Sequence, residues 1–462
     1  MQNSTIHISQ LKHIYFIGIG GIGMSAVARY FHHQGVKISG YDRVETELTL
    51  QLVSEGIDIH YVDDMALAPK DVDLVIYTPA IPKNHSELNF YIDHQYNVIK
   101  RSDALSVITE SSFNICVAGT HGKTTTTTML AHLLRDSGYG CNAFLGGISA
   151  NYNTNFWSNK KNVCVIEADE YDRTFLKLSP DIAVVTSADP DHLDIYETAE
   201  NFIEAFELFT GKVKTGGILY KKLGVNVQPK TSRVLYYSLE DKRADIYATR
   251  IQLNDGGYSF DLNINGYLMQ NIHLNMGGLH NVENMIVAIS IAKHLEIDDE
   301  KIKSAVANFR GVKRRFEYII KRNDMVLIDD YAHHPEELKS LINGVKSLFF
   351  EKKTTVIFQP HLYSRSKDFM NEFAAVLDMA DQVILLPIYP ARELPMPGVE
   401  SHIIANKMKA GKVKVLTKEA LMEWMHNDYV KNYNQEKGEI LVIAGAGDIN
   451  NLIEPIKQVL IK

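Results

Sequence analysis

The residues Gly119-Thr120-His121-Gly122-Lys123-Thr124-Thr125 follow an apolar run, 113–117, and open a helix-compatible segment that reaches about Arg135. A strand, a glycine-bearing turn and Lys-Thr at a helix start are how a chain encloses a polyphosphate. Small residues let backbone N–H groups close around phosphate oxygens, and the helix N-terminus adds the positive end of its dipole. In such a loop Lys123 reaches the outer phosphates, and the hydroxyl of Thr124 or Thr125 holds Mg2+. The loop is shorter than G-x-x-x-x-G-K-[ST], because only Thr120 and His121 stand between Gly119 and Gly122. Glu167, the first acid after the strand-like 163–166, is where a ligand of that Mg2+, or a residue fixing its water, belongs. For Asp169 and Glu170 a solvated face is an equal alternative. His192 follows the next strand-like run, 183–186, and could ligate a second metal or serve as a cap.

A second turn, Gly18-Ile19-Gly20-Gly21-Ile22-Gly23, lies between a strand, 13–17, and a helix to about Gln34, with Asp42 at the end of the next strand. That is the context in which a diphosphate sits on a helix N-terminus and a ribose hydroxyl meets the acid. NAD fits this description, and so does a nucleotide sugar. Farther on, His280 and Asn281 open a helix, where they can meet an adenine edge; Asn281 could equally be an N-cap. Arg314 and Arg315 are placed to clamp a phosphoryl group between domains. Asp330-Tyr331-Ala332-His333-His334-Pro335 and His361-Leu362-Tyr363-Ser364-Arg365 each follow a strand. They offer His, Tyr and Arg groups without a phosphate loop, which suits an acceptor substrate.

The elements that must position these residues form alternating strands and helices, with glycine turns at strand ends. Strand-like runs at 36–40, 73–77 and 96–99 complete a first block, residues 1–110. A central block, 111–322, has strands at 113–117, 162–166 and 181–186. It carries an antiparallel insertion turning at Asn265-Gly266 and closes with helices at 281–294 and 299–309. A third block, 323–462, has strands at 354–358, 382–386, 412–416 and 439–444. The fold class expected is α/β with three domains: Rossmann-like, a P-loop ATPase-type mixed sheet, and Rossmann-like again. Ligands in such sheets bind beyond the carboxyl ends of the strands, which is where the candidate residues fall.

Composition bounds the function. The chain has 462 residues, 45% of them hydrophobic and 23% charged, enough for several ordinary cores. A net charge of −8 argues against nucleic acid as the main partner, since no basic surplus exists to neutralise phosphates. Cys116, Cys141 and Cys164 lie in or near apolar runs without metal spacing and read as small buried hydrophobes. No apolar stretch is long enough for membrane insertion, and residues 1–11 lack the apolar core of a signal peptide, so a cytoplasmic protein is expected.

Together the motifs GIGGIGMSAVA (18–28), AGTHGKTTTT (118–127), EADEYDRTFL (167–176), DPDHLDIY (189–196), GLHNVEN (278–284), GVKRRFE (311–317), DDYAHHP (329–335) and FQPHLYSRS (358–366) resemble the Mur ligase family. The short phosphate loop is that family's own form. The resemblance implies ATP-dependent amide formation in peptidoglycan precursor synthesis, and it is nearest the branch that joins L-alanine to UDP-N-acetylmuramate. A related ligase that adds a different amino acid or a peptide, such as a murein tripeptide ligase, is the alternative. Carried onto this chain, the resemblance gives Gly18, Gly20, Gly21, Gly23, Asp42, Thr78 and Arg101 to the UDP substrate. It gives Gly119 through Thr125, His280, Asn281, Asn284, Arg315 and Asp330 to ATP, and Thr124, Thr125, Glu167 and His192 to Mg2+. His334, His361, Tyr363 and Arg365 would surround the alanine, and Lys123, Glu167, His192, Arg315 and His334 would carry the chemistry. Sister ligases have a carbamylated lysine after the Asp-His motif; the matching helix, 199–209, contains no lysine, which fits the alanine-adding branch. Monomer and homodimer are equally compatible. A nicotinamide oxidoreductase would use the first glycine turn but leave the phosphate loop, Glu167 and His192 unexplained. A nucleotide-sensing protein would keep the loop without turnover.

Overall fold

A computed structural model describes residues 11–110, 112–190, 193–254, 256–391 and 393–461. The strands in chain order are β1 (His13–Ile17), β2 (Lys37–Tyr41), β3 (Asp58–His60), β4 (Leu74–Tyr77), β5 (Val98–Lys100), β6 (Phe113–Ala118), β7 (Asn142–Ser149), β8 (Thr154–Trp157), β9 (Val163–Glu167), β10 (Ile182–Val185) and β11 (Ile218–Lys222). They continue with β12 (Val234–Ser238), β13 (Ile246–Asn254), β14 (Gly257–Ile264), β15 (Tyr267–Leu274), β16 (Glu317–Lys321), β17 (Met325–Asp330), β18 (Lys353–Phe358), β19 (Gln382–Leu385), β20 (Val413–Val415) and β21 (Glu439–Ala444).

Three sheets result. The first is five-stranded in the order β3-β2-β1-β4-β5, with every pairing parallel. The second is ten-stranded, β15-β14-β13-β12-β11-β10-β6-β9-β7-β8. The third is six-stranded, β16-β17-β21-β18-β19-β20, with β16 antiparallel on its edge. Parallel strands covered on both faces need apolar side chains, and β21, buried along its whole length, is apolar from Ile440 to Ala444. The hairpin between β14 and β15 turns at Asn265 and Gly266, both at positive φ (50° and 86°), as a two-residue turn between twisted strands demands. The antiparallel insertion expected in the central block thus extends the central sheet at its edge. All three cysteines are buried and free.

Packing divides the chain into two compact units. Unit 1 comprises residues 1–250, 260–272 and 283–309, and unit 2 comprises 251–259, 273–282 and 310–462. The expected division near residue 110 does not interrupt the packing of unit 1, where one apolar cluster runs from Ile14 and Phe16 through Cys116 and Phe144 to Phe209 and Val227. Polar contacts seal the same junction. Asn155 of β8 is fully buried; its amide donates to Ile22 O (2.6 Å) and accepts from Arg29 Nη1 (2.5 Å) on the helix Ile22–His33. Arg29 also grips Glu55. In unit 2 the third sheet begins at Glu317, ahead of the expected boundary at 322/323, because β16 pairs with β17.

Candidate active site

The glycine turn after β1 is held from the next strand. Gly18 and Ile19 donate backbone N–H groups to Tyr41 O (2.8 and 3.0 Å), and Gly20 N–H donates to the Asp42 carboxylate at 2.7 Å. Asp42 therefore organises the turn. Thr78 follows β4, the neighbour of β1 on the other side, and donates its N–H to Ile17 O at 3.3 Å. A β-carbon at Gly23 would stand 2.1 Å from Arg101 Nη1, so only glycine lets that guanidinium lie on the helix start. Arg101 in turn faces Asp169 at 3.6 Å. The structure thus gathers Gly18, Gly20, Gly21, Gly23, Asp42, Thr78 and Arg101 at one place, where strand order reverses between β1 and β4.

The phosphate loop occupies the corresponding reversal of the central sheet, between β6 and β10. Gly119 has φ +146°, and a β-carbon there would lie 2.0 Å from Thr186 Oγ1 at the end of β10. Thr186 Oγ1 donates to His121 O (2.5 Å), Ser187 Oγ accepts from His121 N–H (2.7 Å), and Thr120 Oγ1 donates to Asp189 O (2.8 Å). Gly122 is left-handed at φ +82° and precedes the helix Lys123–Asp136. Lys123 Nζ turns back onto Gly119 O (2.6 Å) and pairs with Glu170 (2.7 Å). Glu170 is 2% exposed; burial raises its pKa and Lys123 opposes that rise. The solvated-face alternative for Glu170 is therefore wrong: the preceding strand end carries it inward, under the lysine. Glu167 accepts from Thr124 Oγ1 (3.0 Å) and, on its other oxygen, from Gly146 N–H (2.9 Å). Asn284 lies against Gly122. His192 lies outside the described residues.

A cavity of about 750 Å³ opens beside this loop, lined by 186–190, the helix Ala199–Thr210 and 222–226. Its lining includes Asp189, Glu200, Glu204 and Glu207 against one lysine, Lys222, which is itself paired with Glu283 at 2.7 Å. Such a rim repels phosphate.

In unit 2 the strand-end candidates sit at the carboxyl ends of β17 and β18, the two strands that flank β21. His361 follows β18; its ring stacks on Tyr389 (centroids 5.8 Å apart) and meets His333 edge-on at 5.7 Å. Burial, with His333 and Arg365 nearby, lowers the pKa of His361 to about 4. His361 Nδ1 and Arg365 Nη1 are buried without hydrogen-bond partners. Tyr363 opens the short helix Tyr363–Asp368 that carries Arg365. His280 and Asn281 begin the helix Leu279–His294, and the buried Asn281 amide donates to Gly277 O at 2.6 Å.

Three family models match in chain order: Mur ligase family, catalytic domain, over residues 13–112; Mur ligase middle domain, over 117–292; and Mur ligase, glutamate ligase domain, over 314–447. A UDP-N-acetylmuramate–L-alanine ligase of Porphyromonas gingivalis is 45% identical over 459 residues, covering 97% of this chain and 99% of its own. The chain belongs to the Mur ligase family. The ligase of the same name from Parabacteroides distasonis is 46% identical over 98% of both chains. Among solved structures, the UDP-N-acetylmuramate-alanine ligase of Thermotoga maritima superposes with a TM-score of 0.81 at 28% identity, covering 97% of this chain and 99% of that one. A murein peptide ligase from Psychrobacter arcticus shares the fold, with a TM-score of 0.67 at 22% identity over 97% and 98% of the two chains.

Within this Mur ligase fold, two readings of the sequence change. Arg314 and Arg315 do not face the same way: Arg314 turns inward toward Asp329 (3.4 Å), and Arg315 is exposed. Asp330 accepts from Phe316 N–H and Ala332 N–H, both at 2.7 Å, and so folds the turn that carries Arg315. His334 is the N-cap of the helix Pro335–Leu348, its ring accepting from Glu336 N–H at 3.5 Å; its neighbour His333 is the one beside His361. Thr186 and Tyr389 join these Mur ligase clusters without having been singled out by the sequence, while Glu170 and His333 stood in its motifs without an assigned role. Thr186 had a readable signal, a hydroxyl directly after a strand parallel to β6; Tyr389 had none, because a loop brings it in.

Burial pushes Asp329 up to about 7, opposed by Arg314, and Asp330 up to about 6, opposed first by the Phe316 and Ala332 N–H groups and then by Arg315. Carboxyls with raised folded pKa values stabilise the protein at low pH, and that contribution declines as pH rises from about 4 to about 7. Asp329→Asn is expected to flatten the fall in Tm between about pH 5 and about pH 8. An unchanged slope would remove Asp329 from the titrating groups.

Proposed function

We propose that the protein joins L-alanine to the lactyl carboxylate of UDP-N-acetylmuramate, converting ATP to ADP and phosphate. The observation that carries this reading is the pairing, within unit 1, of a diphosphate cradle after β1 with a triphosphate loop after β6. The likeness to alanine-adding ligases along the whole chain supplies the substrates.

A carboxylate oxygen of the muramate attacks the γ-phosphorus in line, and the bond from that phosphorus to the β–γ bridging oxygen breaks, releasing ADP. The acyl phosphate is then attacked at carbon by the neutral amine of alanine. Phosphate leaves with its oxygen from the carboxylate, and the nitrogen loses a proton. Lys123 and Arg315 offset charge on the transferring group, which is most of what a protein contributes to phosphoryl transfer. For Lys123 this requires that the γ-phosphate take the place of Glu170 as its partner. Glu167 and Thr124, hard oxygen donors that already meet, fit Mg2+, an ion that needs only one or two carboxylates beside phosphate oxygens. Bound there, Mg2+ would neutralise phosphate charge. Arg365 Nη1 is a donor available to an amino-acid carboxylate, and His361 Nδ1, unprotonated, is an acceptor available to its ammonium end. His333 donates its Nδ1 proton to Tyr331 O (2.9 Å), which leaves Nε2 to receive one. Among the described residues no helix is long and apolar enough to cross a membrane; the cytoplasm is the proposed place of action.

Oxygen-18 placed in the muramate carboxylate is expected in the released phosphate. Label retained wholly in the product would exclude the acyl phosphate. Phosphate release across a panel of amino acids should require L-alanine and UDP-N-acetylmuramate together; release without either would overturn the assignment.

A further inference from the structure

One buried group in unit 2 has no role in the chemistry above. Asp329 is 1% exposed, and neither of its carboxylate oxygens takes a hydrogen bond. The cation beside it is Arg314, with Nε 3.4 Å from Oδ2. A buried ion pair of that length is a poor stabiliser, since apolar residues of similar size do at least as well. Its use lies in what Arg314 holds.

Arg314 ties three strand-end segments together. Its Nη2 donates to Gly445 O after β21, its guanidinium lies 5.1 Å from the Tyr331 ring centre, and its own carbonyl accepts from Tyr331 N–H at 2.6 Å. Its backbone N–H donates to Glu317 at 2.8 Å. Arg314 and Phe316 are both left-handed, at φ 62° and 49°. Two such residues without glycine, one residue apart, persist only when their surroundings impose the conformation. The alternation that follows sends Arg314 inward and Arg315 into solvent.

We propose that Asp329 is a positioning residue: by fixing Arg314 against the Tyr331 and Gly445 segments, it holds the 313–316 turn in the form that presents Arg315. The proposal rests on the reading that Arg315 meets the transferring phosphoryl group.

The test is a double-mutant cycle of Asp329→Asn and Arg315→Ala, read as kcat and KM for alanine-dependent ADP formation. Asp329→Asn is expected to lower kcat about tenfold through misplacement of Arg315, with KM for UDP-N-acetylmuramate unchanged. In the Arg315→Ala background the same substitution should have almost no further effect, because there is nothing left to position. Equal losses in both backgrounds would overturn the proposal, as would a wild-type rate for Arg315→Ala. A wild-type protein that forms no ADP with alanine would instead overturn the functional reading itself. Should Asp329→Asn not fold, Arg314→Gln deletes the same ion pair from its other side and the cycle is run with it.

Discussion

Lys123→Ala is expected to abolish ADP formation, a loss of about 10³-fold or more, because the loop's own cation on the γ-phosphoryl charge is lost and Arg315 alone does not replace it in the transition state. UDP-N-acetylmuramate binding should survive, since the cradle built by Gly18, Gly20 and Asp42 makes no use of this lysine. Equal loss of both would contradict separate sites. The variant should also be less stable. Lys123 pairs with Glu170, whose side chain is 3% exposed, and breaking a buried pair from one side costs about 3–5 kcal/mol. Adding Glu170→Gln should restore Tm without restoring turnover. Calorimetry and an ADP assay on the two variants separate the structural part of the lysine from its chemical part; recovery of activity in the double variant would sink the assignment.

Glu167→Ala carries the second large effect. Glu167 bridges Thr124 and Gly146, and we expect removal of its carboxylate to lower kcat by about 10²–10³-fold and to raise the Mg2+ concentration needed for half-maximal rate. A milder probe approaches from the other side. A β-carbon at Gly146 would lie 2.1 Å from Glu167 Oε2, so Gly146→Ala must displace the carboxylate while leaving its charge in place. Intermediate loss of rate with the same weakened Mg2+ dependence is the expected result. Were both variants to keep the wild-type Mg2+ profile, Glu167 would be a loop support and nothing more.

How much could be read beforehand depends on how local each cause is. Where an apolar run was read, strand ends were legible to within a residue or two, because apolar runs and glycine turns act over a few positions; β21 coincides with its run 439–444, whereas β7, β8 and β11 to β13 carry no such clear run. The hairpin turn at Asn265-Gly266 was legible because the required positive φ restricts the residue types. The continuity of the unit 1 core across residue 110 was not, since it depends on Asn155, Arg29 and Glu55, whose fit no periodicity reports. Glu170 and Glu167 are chemically alike and close in sequence, and only the path of the chain after β9 decides which turns under Lys123 and which toward Thr124.

The sequence by itself determined the chemistry available: a lysine-bearing phosphate loop, a second glycine cradle, and strand-end acids, histidines and arginines in an α/β order. Residue type and short-range spacing suffice for that, because backbone geometry at a glycine turn is a local property. Tertiary structure alone decided which of two adjacent like residues does what. Arg314 faces Asp329 while Arg315 is exposed, and His334 caps a helix while His333 meets His361. Neighbouring side chains point in different directions by rules of local conformation, but which direction holds a partner depends on strands far away in the chain.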